Sequence, residues 1–102
     1  MNTPSKGVIM VKNQKLQQIS IDPQHGCLYL QFSDEPISKT LEHTDFINID
    51  VDKKGVLVGI EFVGVKKIKH GLRHCFVELA KAFNRPEFKR IPAELKRDLA
   101  LI

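Results

Sequence analysis

Four carboxylates in the middle of the chain are the side chains best suited to acid and base chemistry. Asp45, Asp50, Asp52 and Glu61 lie on or beside runs that alternate apolar and polar residues, so oxygens from neighbouring strands can converge on one face. Converging carboxylates serve as general acid and base or as ligands for a cation. Exposed carboxylates are usually solvated, however. We therefore interpret these four as the solvent side of an amphipathic sheet, and we predict no catalytic residue, no metal ligand and no cofactor.

A second candidate for chemistry lies further along the chain, where His70, His74 and Glu78 are spaced by four residues. This spacing is typical of helices that supply two ligands to zinc. Zinc needs three or four ligands, and no third strong ligand accompanies the set. We interpret His74 and Glu78 as an exposed pair on a helix.

Basic residues are concentrated in the last third of the chain. Residues 1–65 carry six basic and eight acidic side chains, a net charge of −2, whereas residues 66–102 carry ten and four, a net charge of +6. Such a region attracts a phosphate backbone or an acidic protein, although a solvated helical face has the same composition, and no nucleic-acid motif accompanies the charges. The candidate contacts with nucleic acid or with an acidic partner are Lys66, Lys67, Lys69, Arg73, Lys89 and Arg90.

Two alternating patterns predict the hairpins that position the carboxylates. The first joins a strand at 17–22 to a strand at 27–32 through a turn containing Pro23 and Gly26. The second joins 47–51 to 56–62 through Asp52 and Gly55. Pairing Val51 with Val56, Ile49 with Val58 and Ile47 with Ile60 places β-branched residues opposite each other, so we predict that register.

The segment 38–45 between the hairpins is polar, with Leu41 as its one apolar anchor, and we expect an irregular extended connection there. The predicted fold is therefore an α+β fold with a four-stranded antiparallel meander sheet. A helix over 72–83 has an apolar side that can cover one face of this sheet. A short second helix begins near Pro92, and its apolar residues Leu95, Leu99 and Ile102 are candidates for contact with a partner helix.

Length and composition favour one soluble domain. A chain of 102 residues with 42% hydrophobic and 27% charged residues can bury one modest core. We expect a tail or an edge strand over 1–15, the sheet over 17–63 and a basic helical extension over 66–102, with Met10 as an alternative start. The chain has no apolar run long enough to span a membrane and no signal peptide, so we expect a cytoplasmic protein with Cys27 and Cys75 reduced.

Several short strings, covering roughly residues 19–63, resemble the bacterial family known as domain of unknown function 2283. The strings are Leu28-Tyr29, 32–36 (FSDEP), 48–52 (NIDVD), Gly55 and 58–61 (VGIE). The chain departs from the family pattern at 25–27 (HGC), where members usually carry an acidic residue. The resemblance implies little about function, because the family is uncharacterised; some members look like the antitoxin half of toxin and antitoxin pairs.

These observations together favour a small non-enzymatic protein that acts through protein contacts. The partner is either a foreign protein, as for an antitoxin, or a second copy of the chain, and the contact uses the C-terminal helices or an unpaired sheet edge. Nucleic-acid binding by the basic third is the alternative.

Overall fold

The computed structural model describes residues 15–68 and 71–94. Among these residues, five strands come first: β1 (Gln18–Asp22), β2 (Cys27–Gln31), β3 (Lys39–Thr44), β4 (Ile47–Val51) and β5 (Leu57–Phe62). The helices follow: α1 (Val65–Ile68), α2 (Leu72–Phe83), a 3-10 helix (Pro86–Arg90) and α3 (Ile91–Glu94).

The strands form one antiparallel sheet in the order β1-β2-β5-β4-β3. The predicted α+β class and antiparallel sheet are confirmed, but the sheet has five strands rather than four, and it is not a simple meander. The connection from β2 crosses to the far edge, and β5 then returns to pair with β2. This is a Greek-key arrangement of β2 to β5.

The additional strand is β3, in the segment that we expected to be irregular. Five of its six residues are exposed, and only Leu41 packs against the core, opposite Ile49. An edge strand has one neighbour and buries little, so its sequence needs no regular apolar alternation. The hydrophobic pattern therefore missed β3.

The predicted register of the second hairpin is wrong by two residues over most of its length. Ile49 lies opposite Ile60, and Ile47 lies opposite Phe62. Asp50 then pairs with Gly59 while Val51 pairs with Leu57, so Val58 is the extra residue of a β-bulge. Because a bulge reverses the alternation, Leu57 joins the main core cluster, whereas Val58 is buried outside it.

Both predicted turns are confirmed. Gly26 and Gly55 have positive φ angles of 64° and 81°. Asp52 Oδ1 accepts hydrogen bonds from the backbone N–H groups of Lys54 (2.8 Å) and Val56 (3.0 Å). In the first turn, His25 Nδ1 lies 2.7 Å from Asp22 Oδ2, and this hydrogen bond lowers the pKa of Asp22.

Helix α2 covers the apolar face of the sheet, as its periodicity predicts. The side chains of Leu72, Phe76 and Leu79 are buried, and the Phe76 ring lies 5.0 Å from the Phe62 ring of the central strand. Predicted core residues of β2, β4 and β5 occupy the same cluster. Burial of this face stabilises the fold by about 25 cal/mol for each Å² of apolar surface removed from water.

The chain after α2 turns back onto the core through a segment that the sequence pattern did not predict. Asn84 ends α2 in the left-handed region (φ 54°), and its N–H donates hydrogen bonds to carbonyl oxygens of the last turn. The 3-10 helix then inserts Phe88, which stacks on Phe32 with centroids 5.4 Å apart. Phe88 also packs edge-to-face with Phe83, with ring centroids 5.9 Å apart. Three rings from separate parts of the chain therefore close this end of the core.

Helix α3 begins at Ile91, so Pro92 lies in its first turn, as predicted. The candidate partner-helix residues Leu95, Leu99 and Ile102 lie outside the described residues, and so do residues 1–14 of the expected tail or edge strand over 1–15. Within the described part of the chain, no helix has the length and hydrophobicity needed to cross a bilayer.

Candidate functional site

The polar face of the sheet holds a hydrogen-bonded cluster centred on Asp50. Its side chain was expected to face solvent, but Asp50 is only 8% exposed. Thr40 Oγ1, on β3, donates a hydrogen bond to Asp50 Oδ1 (2.6 Å). Tyr29 Oη, on β2, donates one to Asp50 Oδ2 (2.8 Å). Hydrogen bonds to a carboxylate are stronger than neutral ones, so the cluster ties β2, β4 and β3 together across the sheet.

Gly59 makes this cluster possible, because the Tyr29 side chain crosses the central strand above it. A Cβ atom at position 59 would lie 1.9 Å from Tyr29 Oη and 2.2 Å from Cζ, so a larger residue excludes the ring from its place. Burial and the hydrogen bond to Asp50 raise the pKa of Tyr29 far above its usual value. The phenol is therefore a fixed hydrogen-bond donor rather than a base at neutral pH.

The other carboxylates do not join Asp50 in one site. Glu61 accepts a hydrogen bond from Asn48 Nδ2 at 3.3 Å, and Asp52 belongs to its turn. Asp45 lies in the turn between β3 and β4. Among the described residues, no three His, Cys, Asp or Glu side chains are grouped as metal ligands. On the polar face, Asp50 and Glu61 thus each accept hydrogen bonds from neighbouring side chains.

On α2, His74 Nε2 lies 3.9 Å from Glu78 Oε1, and both side chains are exposed. This agrees with the interpretation of an exposed pair, whereas His70 lies outside the described residues. The two thiols are free and half-buried, and burial raises the pKa of both Cys27 and Cys75. Raised thiol pKa values make these cysteines poor nucleophiles.

The candidate basic contacts are distributed over three elements. Lys66 and Lys67 belong to α1, Arg73 lies in the first turn of α2, and Lys89 and Arg90 end the 3-10 helix. Four of them are exposed in the structure: Lys67, Arg73, Lys89 and Arg90. Lys69 lies outside the described residues.

An open cleft of about 790 Å³ lies at one corner of the sheet, between two loops. One wall is the connection from β2 to β3, and the other is the turn from β4 to β5. The connection from β2 to β3 is anchored at both ends, because Phe32 N donates to Val58 O and Ser38 N donates to Val51 O, each at 2.8 Å. The lining residues are Ser33, Glu35, Pro36, Ile37, Ser38, Asp52, Lys53, Lys54 and Val56.

Ile37 gives this corner its apolar surface. It is 52% exposed and is the one large apolar side chain classed as exposed among those that the structure describes. Pro36 beside it adds exposed apolar area, whereas Val56 across the cleft is nearly buried, and charged side chains surround them. An apolar centre with a polar rim is typical of a protein-binding surface.

Strand β3 begins two residues after Ile37 and has an unpaired outer edge. It pairs with β4 alone among the described strands. Val63 N donates a hydrogen bond to Phe46 O across the ladder between β4 and β5. Hydrogen-bonded pairs alternate along an antiparallel ladder, so the N–H and C=O groups of Asn48 and Asp50 also point toward β5. The backbone groups of residues 47, 49 and 51 therefore point toward β3. Thr40 and Glu42 lie opposite Asp50 and Asn48, which point the other way, so the N–H and C=O groups of Thr40 and Glu42 point away from the sheet.

We call this region the Ile37 corner, defined as the cleft together with residues 39–42 of β3. Sequence reasoning missed it, because its residues are polar except for Ile37 and no periodicity marks them. The Ser-Asp-Glu-Pro break before Ile37 predicted the end of β2 but not a cleft. One available signal in the sequence was a single apolar residue, Ile37, directly after Pro36 in an otherwise polar stretch.

The fold and this corner define a small α+β protein built on a five-stranded antiparallel sheet. Residues 18–66 match the family described as protein of unknown function (DUF2283), which confirms the resemblance seen in the sequence. Comparisons with curated proteins and with solved structures gave no match.

Proposed function

We propose that this protein is a small, cytoplasmic, bacterial protein-interaction module without enzymatic activity, which binds an extended segment of a partner protein along β3. The observation that carries this proposal is that an unpaired strand edge and an exposed apolar side chain lie next to each other. The outward backbone groups of Thr40 and Glu42 lie beside the exposed Ile37. Strand addition uses backbone hydrogen bonds for affinity, and a neighbouring apolar pocket adds specificity.

The hydrogen bonds of the polar face support binding over catalysis. Asp50, the most buried carboxylate of the described residues, accepts a hydrogen bond from a hydroxyl group on each of its two oxygens. A general base needs a free lone pair directed at its substrate. Thr40 carries part of this cluster on β3 itself, so the cluster holds the edge strand in place for a partner.

Strand addition also agrees with the irregular end of β3. The pairing with β4 shifts between Glu42 and Thr44, and such a bulge bends an edge away from further pairing. The usable edge is therefore the half of β3 nearest to Ile37.

Glu42→Pro tests this proposal. Proline removes one outward N–H and is tolerated where an edge strand faces solvent, so the fold should persist. We expect that a photo-reactive residue at position 39 cross-links to a defined protein in source cells, and that Glu42→Pro abolishes this product while Glu42→Ala retains it. A product unaffected by Glu42→Pro would contradict strand addition. Its mass distinguishes a foreign partner, such as a toxin, from a second copy of the chain.

Nucleic-acid binding is the second candidate function, favoured by the exposure of Lys67, Arg73 and Lys89. No ion pair involves these three side chains among the described residues. Binding through several such charges should weaken steeply with salt. A mobility-shift series from low to high salt checks this, and a lack of binding to any duplex or single strand at low salt would reject it.

A further inference from the structure

We infer that the extended segment bound along β3 is β3 of a second copy of this chain, in antiparallel pairing with Leu41 on the two-fold axis. This inference rests on the proposed function and names the partner. It follows from the short length of the free edge, from the side chain at its centre and from the groups near its two ends.

The free edge of β3 has outward backbone groups at two residues, Thr40 and Glu42. On one side the run ends at Ser38, whose N–H donates a hydrogen bond to β4 at 2.8 Å. On the other side the pairing with β4 shifts after Glu42, so that the backbone groups of Thr44 point toward β4. A partner strand therefore meets a run of two outward residues with one residue between them.

An antiparallel second copy matches this run when the two-fold axis passes through Leu41. Thr40 of each copy then lies opposite Glu42 of the other, and each such pair exchanges two backbone hydrogen bonds. An axis through Thr40 would set Glu42 against Ser38, whose N–H is already bonded within the sheet. An axis through Glu42 would set Thr40 against Thr44, whose backbone points toward β4. Of these three registers, the one with Leu41 on the axis uses all the outward groups.

The side chain at the axis also favours a second copy. Leu41 lies on the helix-covered side of the sheet, opposite Ile49, and is half-buried at the edge. On the axis, the two Leu41 residues form a pair without mutual hydrogen bonds, in which the Cα atoms are about 4.5 Å apart. Each leucine side chain then covers part of the other, and an apolar cross-strand pair of this kind stabilises a sheet.

The groups near the two ends of the free edge meet in this arrangement. Ile37 lies four residues before Leu41, and Asp45 lies four residues after it. Because the two copies run in opposite directions, Ile37 of one and Asp45 of the other both lie about 13 Å from the axis, on the same side. Phe46 follows Asp45 and is half-buried. The pairing thus brings a partly exposed aromatic ring near the exposed Ile37 of the other copy.

The charges of the Ile37 corner are compatible with this pairing. Its basic and acidic side chains are equal in number: Lys39, Lys53 and Lys54 against Glu35, Glu42 and Asp52. Two copies therefore bring no excess of like charge to the contact. The exposed Asp45 of the second copy approaches the side of the corner that carries Lys53 and Lys54. Lys39 lies opposite His43 and adds no attraction.

Sedimentation equilibrium of the full chain over a range of concentrations tests the inference. We expect a reversible equilibrium between monomer and dimer. Glu42→Pro should raise the dissociation constant of the dimer about tenfold or more, because the symmetry removes two hydrogen bonds at once. Glu42→Ala keeps the backbone N–H and should leave the constant within about threefold. Circular dichroism of both variants checks that the fold is retained.

Disulfide formation between copies tests the register. Leu41→Cys places two thiols at the axis, with Cα atoms about 4.5 Å apart, which suits a disulfide bond. Lys39→Cys is the matched control, because its two copies lie about 13 Å apart along the strands. We expect mild oxidation by oxygen to link Leu41→Cys into dimers, and to leave Lys39→Cys and the wild type, with Cys27 and Cys75, unlinked. Linkage of Lys39→Cys as fast as that of Leu41→Cys would overturn the inference.

The outcomes separate this inference from the proposed function. If the chain is a monomer at every concentration, while the cross-link from position 39 leads to a foreign protein and is lost in Glu42→Pro, strand addition stands and the inference fails. A dimer that Glu42→Pro leaves unchanged also overturns the inference, because the copies then meet elsewhere. If the chain is a monomer and no cross-linked product responds to Glu42→Pro, both fail.

Discussion

Phe88 and Ile37 stand in similar local sequences but have opposite environments. Each follows a proline closely in a segment outside the strands and long helix that the periodicity predicted. Phe88 is 1% exposed and is packed between Phe32 and Phe83, whereas Ile37 is 52% exposed. The comparison separates apolar residues that stabilise the fold from one that is available to a partner.

The difference arises from the chain before each residue. Asn84 ends α2 in the left-handed region, and this conformation turns the chain so that Phe88 lies over the core. The connection that holds Ile37 crosses the end of the sheet, where Phe32 N and Ser38 N anchor it to the backbone of β5 and β4. Local sequence alone does not contain this distinction.

The largest expected effect is that of Phe88→Ala. Removing a fully buried ring loses its transfer free energy and leaves a cavity, so the free energy of unfolding should fall by about 3 to 5 kcal/mol. Ile37→Ala should change it by less than about 0.5 kcal/mol, because the side chain is already exposed. Urea unfolding of both variants measures the comparison directly, and equal losses would show that Ile37 also belongs to the core.

The second effect concerns the polar face. Gly59→Ala places a Cβ atom against the hydroxyl end of the Tyr29 side chain and displaces this side chain from Asp50, which should cost about 2 to 3 kcal/mol. Tyr29→Ala in the same chain removes the obstructed ring, so Gly59→Ala should then cost less than about 1 kcal/mol. A double-mutant cycle gives the coupling, and additive losses would place the strain elsewhere.

The polar cluster should also have a signature in alkaline solution. Tyr29→Phe removes one hydrogen bond to a carboxylate and should cost about 1 to 2 kcal/mol at pH 7. Because the folded-state pKa of Tyr29 is raised, the unfolded chain loses its phenol proton first, and the stability that Tyr29 contributes declines as the pH rises above about 10.

The difference in stability between the wild type and Tyr29→Phe should therefore shrink between about pH 10 and pH 11. Denaturant unfolding at several pH values measures it. A difference that stays constant over this range would contradict a raised pKa of Tyr29 in the folded protein.

The smallest effect is expected at the turn that brings Phe88 to the core. Asn84→Ala puts a residue with a Cβ penalty into the left-handed region and should cost about 1 kcal/mol, while Asn84→Gly should be neutral or slightly stabilising. Thermal unfolding compares the two. Equal losses in the two variants would mean that the Asn84 side chain, rather than its backbone conformation, is required.

The sequence predicted those parts of the fold that depend on regular burial. Strands with one apolar face and the helix over 72–83 follow from periodicity, and the turns at Gly26 and Gly55 follow from backbone conformation. The Val58 bulge escaped prediction, because strict alternation assumes that every residue has a partner. Strand β3 escaped because its position at the edge depends on the return of β5 to β2, which is a long-range pairing.

The candidate site was predicted less well than the fold. The carboxylates were identified as residues of the polar face, but their hydrogen-bond partners depend on which strands are adjacent. Tyr29 reaches Asp50 only because β5 lies between β2 and β4 with a glycine at position 59. The Ile37 corner combines two loops that are about 15 residues apart in sequence, and no local pattern relates them.

Amide hydrogen exchange of Thr40 and Glu42, with and without the partner that cross-linking identifies, tests the central claim most directly. Their N–H groups point outward and should exchange rapidly in the free protein. In the complex they should be protected, and the amides of α2 should be unchanged in rate. A saturating concentration of the partner that leaves Thr40 and Glu42 exchanging at the free rate would contradict the claim that β3 is where this protein binds its partner.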